Sequence, residues 1–141
     1  MFIGEYKHSL DLKGRVIVPS RFRDELKGRF IVTRGLDTCL FGFTEEGWNE
    51  LGGKISSMPM THTDARAFSR IFFSGAAECE LDKQGRSLIP ANLRDYAKID
   101  KDIVIVGLSS RFEIWSQAEW DKYSEKVSNS YESIAETLIP F

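Results

Sequence analysis

The chain repeats itself. Displaced by 71 positions against its own sequence, it aligns Phe2 with Phe73, Gly4 with Gly75, Leu10-Asp11 with Leu81-Asp82 and Gly14-Arg15 with Gly85-Arg86. The same displacement brings Pro19 onto Pro90 and Arg23-Asp24 onto Arg94-Asp95. With one more residue of offset, Ile31-Val32 meets Ile103-Val104, Gly35-Leu36 meets Gly107-Leu108 and Trp48 meets Trp120. The slip falls within Glu25–Phe30, where a loop absorbs one inserted residue. A repeat constrains the architecture before any other signal, because each copy must find a face against which to bury its apolar residues. A module of about 45 residues buries too little surface alone. The two copies are therefore expected to intertwine around one core, as a pseudo-twofold dimer joined covalently.

Each copy reads the same way. Tyr6–Leu10 and Val16–Val18 are β-rich runs flanking a turn that ends in glycine, and Cys79–Leu81 and Ser87–Ile89 repeat them. Pro19-Ser20 and Pro90-Ala91-Asn92 suit the first turn of short helices over 21–26 and 92–97. A second strand pair follows, residues 30–33 with 39–43, and 103–106 with 111–115 in the other copy. Each copy closes on a helix starting near Thr44 or Ser116, where Ser116 and Glu119 have capping-box spacing. Between the copies, Gly52-Gly53 and Ser56–Pro59 read as a linker, and residues 63–72 have helical spacing. The expected organisation is a first module over 5–47, a connecting linker and helix over 48–75, a second module over 76–119 and a helical tail over 120–141. The fold class is α+β and rich in strand.

Composition narrows the function. In 141 residues, 42% hydrophobic and 28% charged content excludes wholesale disorder. A net charge of −2 excludes a uniformly basic nucleic-acid coat but not a locally basic face. No apolar run approaches the roughly 18 residues that cross a bilayer, and the opening Met1–Lys7 lacks a secretory leader; a cytoplasmic location is expected, with no membrane partner. Cys39 and Cys79 stand apart, and with His8 and His62 they have no metal-ligand spacing, so no metal or cofactor is expected. Neither histidine recurs in the other module, and no nucleophile, base and orienting acid can be assembled from the repeated residues. Glu45-Glu46 reads as a solvated helix start, and Gly52-Gly53 is too short for a phosphate loop. The chain does not read as an enzyme.

The doubled turn carries the chemistry. Asp11-Leu12-Lys13-Gly14-Arg15 recurs as Asp82-Lys83-Gln84-Gly85-Arg86. An aspartate opening a turn accepts from backbone N–H groups two or three residues on, and glycine supplies positive φ. The arginine that follows projects from the next strand, where its planar fork suits a carboxylate, a phosphate or a guanine edge. Two readings stand side by side: Asp and Arg staple their own turn, or the arginine reaches a ligand. Charge along the chain bears on the choice. Residues 1–36 carry net +4, 37–64 carry −4, 65–100 carry +1 and 101–141 carry −3, so the turn-bearing part of each copy is its basic part. On the ligand reading, Arg15 and Arg86 contact DNA, Lys13 and Lys83 add phosphate contacts, and Asp11, Gly14, Asp82 and Gly85 shape the turns.

The Asp-x-x-Gly-Arg turn, followed by a strand and a proline-led helix, resembles the hairpin module of AbrB-type DNA-binding proteins. Two such modules in a chain of this length resemble the MraZ family, as do Met1–Tyr6 and Phe72–Ala76. The resemblance covers the whole chain. It implies two intertwined AbrB-like swapped-hairpin modules in one pseudo-twofold barrel with added helices, assembled into a homo-oligomeric ring. It also implies a nucleoid-associated transcriptional regulator that binds tandem repeats in double-stranded DNA upstream of a division and cell-wall gene cluster. The competing reading is an antitoxin-like or scaffold module that binds a protein through the acidic tail, whose Trp120, Tyr123, Tyr131 and Phe141 otherwise pack the terminal helix or a subunit interface. Phe72, Phe73 and Phe141 are expected to form an apolar patch that favours an oligomer.

Overall fold

The computed structural model describes residues 1–140. Its elements are β1 (Glu5–Ser9), β2 (Arg15–Ile17), α1 (Ser20–Leu26), β3 (Arg29–Arg34), β4 (Leu40–Phe43), α2 (Glu45–Ser56), α3 (Thr63–Ser74), β5 (Ala77–Glu80), β6 (Arg86–Leu88), α4 (Ala91–Tyr96), β7 (Asp102–Gly107), β8 (Phe112–Ser116), α5 (Gln117–Ser128) and α6 (Tyr131–Leu138). Local chemistry sets these boundaries twice over. Helices α1 and α4 each start directly after a proline, Pro19 or Pro90, whose fixed φ (−51° and −54°) is already helix-compatible. Helices α2 and α5 are capped by hydroxyls: Gly47 N donates to Thr44 Oγ1 at 2.9 Å, and Glu119 N donates to Ser116 Oγ at 3.4 Å. Lys27 and Lys98 adopt the same left-handed conformation after α1 and α4, so the copies are still in register there. The extra residue of the second copy lies in the 99–101 connection to β7.

The two halves are interleaved strand by strand. Six strands form one antiparallel sheet in the order β1-β7-β8-β4-β3-β5, and β2 and β6 form a separate antiparallel ribbon. The first strand of each half pairs with the other half: Glu5–Ser9 with Asp102–Val106, and Ala77–Glu80 with Arg29–Val32. The pseudo-twofold axis runs between β4 and β8, where Leu40 faces Ile114. The ladders do not join into a closed cylinder, so the expected barrel takes the form of a sheet capped by a ribbon.

Alternation along the strands divides the interior into two cores. On one face of the sheet, Phe30, Val32, Leu40, Ile103, Ile105, Phe112 and Ile114 meet Val16 and Val18, Phe22 and Leu26 of α1, and Ile89 and Leu93. Phe2 seals this core edge-on against Phe22 and Phe112 at 4.9 and 5.3 Å. On the other face, Phe41, Phe43 and Trp115 pack against Trp48, Leu51 and Ile55 of α2, Phe72 and Phe73 of α3, and Trp120 and Tyr123 of α5. The molecule therefore has three layers.

Two expectations are corrected here. Gly52 and Gly53 lie inside α2 instead of opening a linker, which is confined to residues 57–62. The tertiary contacts of Trp48, Leu51 and Ile55 outweigh the roughly 1 kcal/mol that each glycine costs in a helix. Phe72 and Phe73 form no exposed patch: Phe72 is buried, and Trp48 stacks on it at 5.3 Å and meets Phe73 edge-on at 5.6 Å. Phe141 lies outside the described residues. In the tail, Trp120 and Tyr123 pack on Trp115, the tyrosine stacked at 5.1 Å, whereas Tyr131 is exposed. Cys39 and Cys79 are free and buried, and burial pushes both thiols up, that of Cys79 to about 11.

Candidate nucleic-acid interface

Each half builds the same turn. Asp11 Oδ1 accepts from Lys13 N and Arg15 N, both at 2.9 Å, while Gly14 N donates to the Asp11 carbonyl at 3.0 Å. In the second half Asp82 Oδ1 accepts from Gln84 N and Arg86 N, again at 2.9 Å, and Gly85 N donates to the Asp82 carbonyl. Gly14 and Gly85 have φ of +81° and +79°, values that side-chain-bearing residues adopt only with strain. The N–H of Arg15 above all, helped by its guanidinium, holds the Asp11 carboxyl below its ordinary value, against an opposing desolvation; Asp82 is lowered in the same way by Arg86.

The arginines staple these turns. Arg15 Nε donates to Asp11 Oδ2 at 2.6 Å and Arg86 Nε to Asp82 Oδ2 at 2.8 Å. Arg86 Nη2 also donates to Gln84 Oε1 at 3.0 Å. The Nη groups of Arg15 make no hydrogen bond among the described residues. A guanidinium held through Nε keeps its opposite edge free to present two parallel donors. In Arg15 the staple thus orients the fork without consuming it, whereas Arg86 spends one Nη on Gln84.

The ribbon brings the two turns together. β2 and β6 pair Arg15 with Leu88, Val16 with Ser87 and Ile17 with Arg86. Val16 and Ser87 are buried, so the alternation of a strand puts Arg15, Ile17, Arg86 and Leu88 on the outer face. The turns stand at opposite ends of that face and are stitched across the halves: Ile89 N donates to Gly14 O, and Val18 N to Gly85 O. Lys13 and Lys83 are exposed and make no ion pair among the described residues. They are not equivalent positions, since Lys83 corresponds to the fully exposed Leu12 and Lys13 to Gln84.

Two further arginines belong to this arrangement. Arg94, from the second half, lies against Gly14 of the first; a Cβ built on Gly14 would stand 2.8 Å from its Cζ. Arg23 occupies the same place against Gly85. Each is fixed by its own Nε, Arg23 to Val18 O at 2.8 Å and Arg94 to Ile89 O at 3.0 Å. The repeat of Arg23 as Arg94 was visible in the sequence, but the exchange of each onto the other half's turn depends on the interleaving. Every turn therefore gathers three cations: Lys13, Arg15 and Arg94 at one end, Lys83, Arg86 and Arg23 at the other. Elsewhere, no group of three or more His, Cys, Asp or Glu among the described residues is placed to hold a metal, and no helix among them is long and apolar enough to cross a membrane.

Interleaved halves, a central two-stranded ribbon and paired Asp–Arg turns define a duplicated swapped-hairpin protein. The family model described as "MraZ protein, putative antitoxin-like" matches the chain twice, over residues 1–71 and 72–141. The chain belongs to the MraZ family. It is 55% identical over 141 residues to a protein of Moorella thermoacetica named transcriptional regulator MraZ, covering 100% of this chain and 99% of the relative. A Desulfitobacterium hafniense (strain DCB-2) protein of the same name is 59% identical over 139 residues, covering 99% and 97%. One from Natranaerobius thermophilus is 57% identical over 141 residues, covering 100% and 99%.

Proposed function

We propose that this chain regulates transcription by laying the outer face of the β2–β6 ribbon into a groove of double-stranded DNA. The observation that carries the reading is the common face of that ribbon, where Arg15 and Arg86 are oriented by their aspartates and flanked by Lys13 and Lys83. A two-stranded ribbon fits the major groove, and a guanidinium pairs bidentately with a guanine edge there. Arg15, with its Nη edge free, is the principal reader; Arg86, shared with Gln84, contributes less. The lysines contact phosphates. Asp11, Gly14, Asp82 and Gly85 hold the geometry.

One ribbon neutralises only a few phosphates, so strong binding requires several. A homo-oligomeric ring engaging tandem repeats, upstream of a division and cell-wall gene cluster as the family resemblance implies, raises affinity through effective concentration. Such a protein works at the nucleoid in the cytoplasm. Arg15→Ala is expected to abolish gel-shift binding to the DNA preceding the chain's own reading frame while its circular dichroism stays unchanged; undiminished binding by the folded variant overturns the assignment. Affinity should fall by about 0.9 log unit per log unit of salt for each phosphate contacted.

A second reading is favoured by α6, none of whose residues is buried and whose Tyr131 and Leu138 are 74% and 73% exposed. An antitoxin-like or scaffold role would use this helix to hold a partner protein. Deleting α6 separates the two, since DNA binding then survives while partner capture is lost.

A further inference from the structure

The ribbon carries two aliphatic side chains that the fold does not need. Ile17 and Leu88 are 40% and 55% exposed on its outer face, while Val16 and Ser87, one position away on the same strands, face inward and are buried. Cross-strand pairing sets Leu88 beside Arg15 and Ile17 beside Arg86. The face is thus two copies of one unit, an arginine next to an aliphatic residue, related by the pseudo-twofold axis. Cations flank it at both ends, Lys13 and Arg94 at one and Lys83 and Arg23 at the other. Such surroundings exclude an ordinary apolar partner and fit a polyanion.

We infer that Ile17 and Leu88 are specificity-determining residues that pack against thymine methyl groups in the major groove of duplex DNA, each beside the guanine-reading arginine opposite it. This rests on the reading of the ribbon as the DNA-binding face and adds the second base that each half recognises. Among the groups that the major groove displays, the C5-methyl of thymine is the apolar one. An exposed aliphatic side chain on a groove-filling ribbon gains by covering it and gains nothing from a phosphate. The unit therefore reads a guanine and a nearby thymine together, and the antiparallel ribbon presents this pair twice in opposed orientation. Leu88 protrudes further than Ile17 and makes the larger contribution.

The test uses the full-length chain and the duplex that it enriches from a random-sequence pool. Thymines of that duplex are replaced one at a time by deoxyuridine, which removes only the methyl group. At one or more positions the wild-type chain should bind about fourfold more weakly, the worth of one buried methyl. Leu88→Ser or Ile17→Ser should bind the unmodified duplex more weakly and lose that sensitivity at its own position. An enriched sequence without thymine, uniform indifference to deoxyuridine, or sensitivity that persists unchanged in both variants overturns the proposal while leaving DNA binding intact. A pool that yields no enriched sequence overturns the DNA reading and this proposal with it. If the serine variants instead change the sedimentation of the free protein and keep full thymine sensitivity, a second copy covers the ribbon and the proposal fails.

Discussion

Gly14 is constrained from two directions. Its φ of +81° strains any residue with a side chain, and the Arg94 guanidinium occupies the space that a Cβ would take. Gly14→Ala should therefore cost about 1–3 kcal/mol, read as a lower thermal midpoint. Adding Arg94→Ala relieves the collision but not the backbone strain, so the double variant should recover only part of the loss, a coupling that a thermodynamic cycle measures. Asp11 and Asp82 make a different prediction. Their folded carboxyls titrate below the ordinary value of 3.8, so as pH falls the unfolded chain takes up protons first. Their contribution is complete above the ordinary value and is lost as pH drops through the folded one. Denaturant titrations of wild type and the Asp11→Asn, Asp82→Asn double variant should differ near neutrality and converge in acid, once the pH has fallen below the lowered folded values. The turn residues were legible in the sequence because spacing alone carries an Asp-x-x-Gly-Arg turn. The engagement of Arg15 and Arg86 was not, since stapling and reaching use the same residues at the same spacing. The structure shows the staple, with Nε on the aspartate in both turns, and the Nη groups of Arg15 make no hydrogen bond among the described residues.

Helices α2 and α3 owe their position to aromatic packing. Trp48 stacks on Phe72, meets Phe73 edge-on and leans on Phe43 at 5.7 Å. Trp48→Ala should cost about 3 kcal/mol and reduce near-ultraviolet circular dichroism, while the ribbon on the opposite face of the sheet keeps its DNA affinity. Loss of both together would show the layers to be more tightly coupled than their separate cores imply. This element also marks where sequence reading fails. Gly52-Gly53 has the local signature of a breaker, and the helix runs through it because Trp48, Leu51 and Ile55 pack against partners distant in sequence, Phe72 and Phe73 among them. Ser116 was readable as a cap, and Thr44 as a helix start, for the opposite reason, since a cap is satisfied by an N–H group three residues away.

The whole molecule is two chains' worth of hairpins on one backbone. Neither half has a complete sheet of its own: β1 has its ladder in β7, and β5 has its ladder in β3. Cleavage in the 57–62 connection should therefore leave the fragments co-eluting on size exclusion with a near-native circular dichroism spectrum. Separation without denaturant would contradict the interleaving. The repeat made the shared core foreseeable, because modules this small have no other way to bury their apolar faces. The second core, on the face of the sheet covered by α2, α3 and α5, was not foreseeable, since it joins residues of both halves, such as Phe43 and Trp115, that are far apart in sequence.

That interleaving has a consequence during synthesis. Ser9, the last residue of β1, hydrogen-bonds Asp102 across 93 residues of chain. At about 5–20 residues per second on the ribosome, the first strand waits roughly 5–20 s for its partner to be made. Neighbouring ribosomes on one message carry identical unfinished halves at that moment, each with an open edge matching its neighbour's. Correct pairing within one chain then depends on the tether holding the two halves at a higher local concentration than the polysome does, and loosening the 57–62 connection would favour exchange between nascent chains.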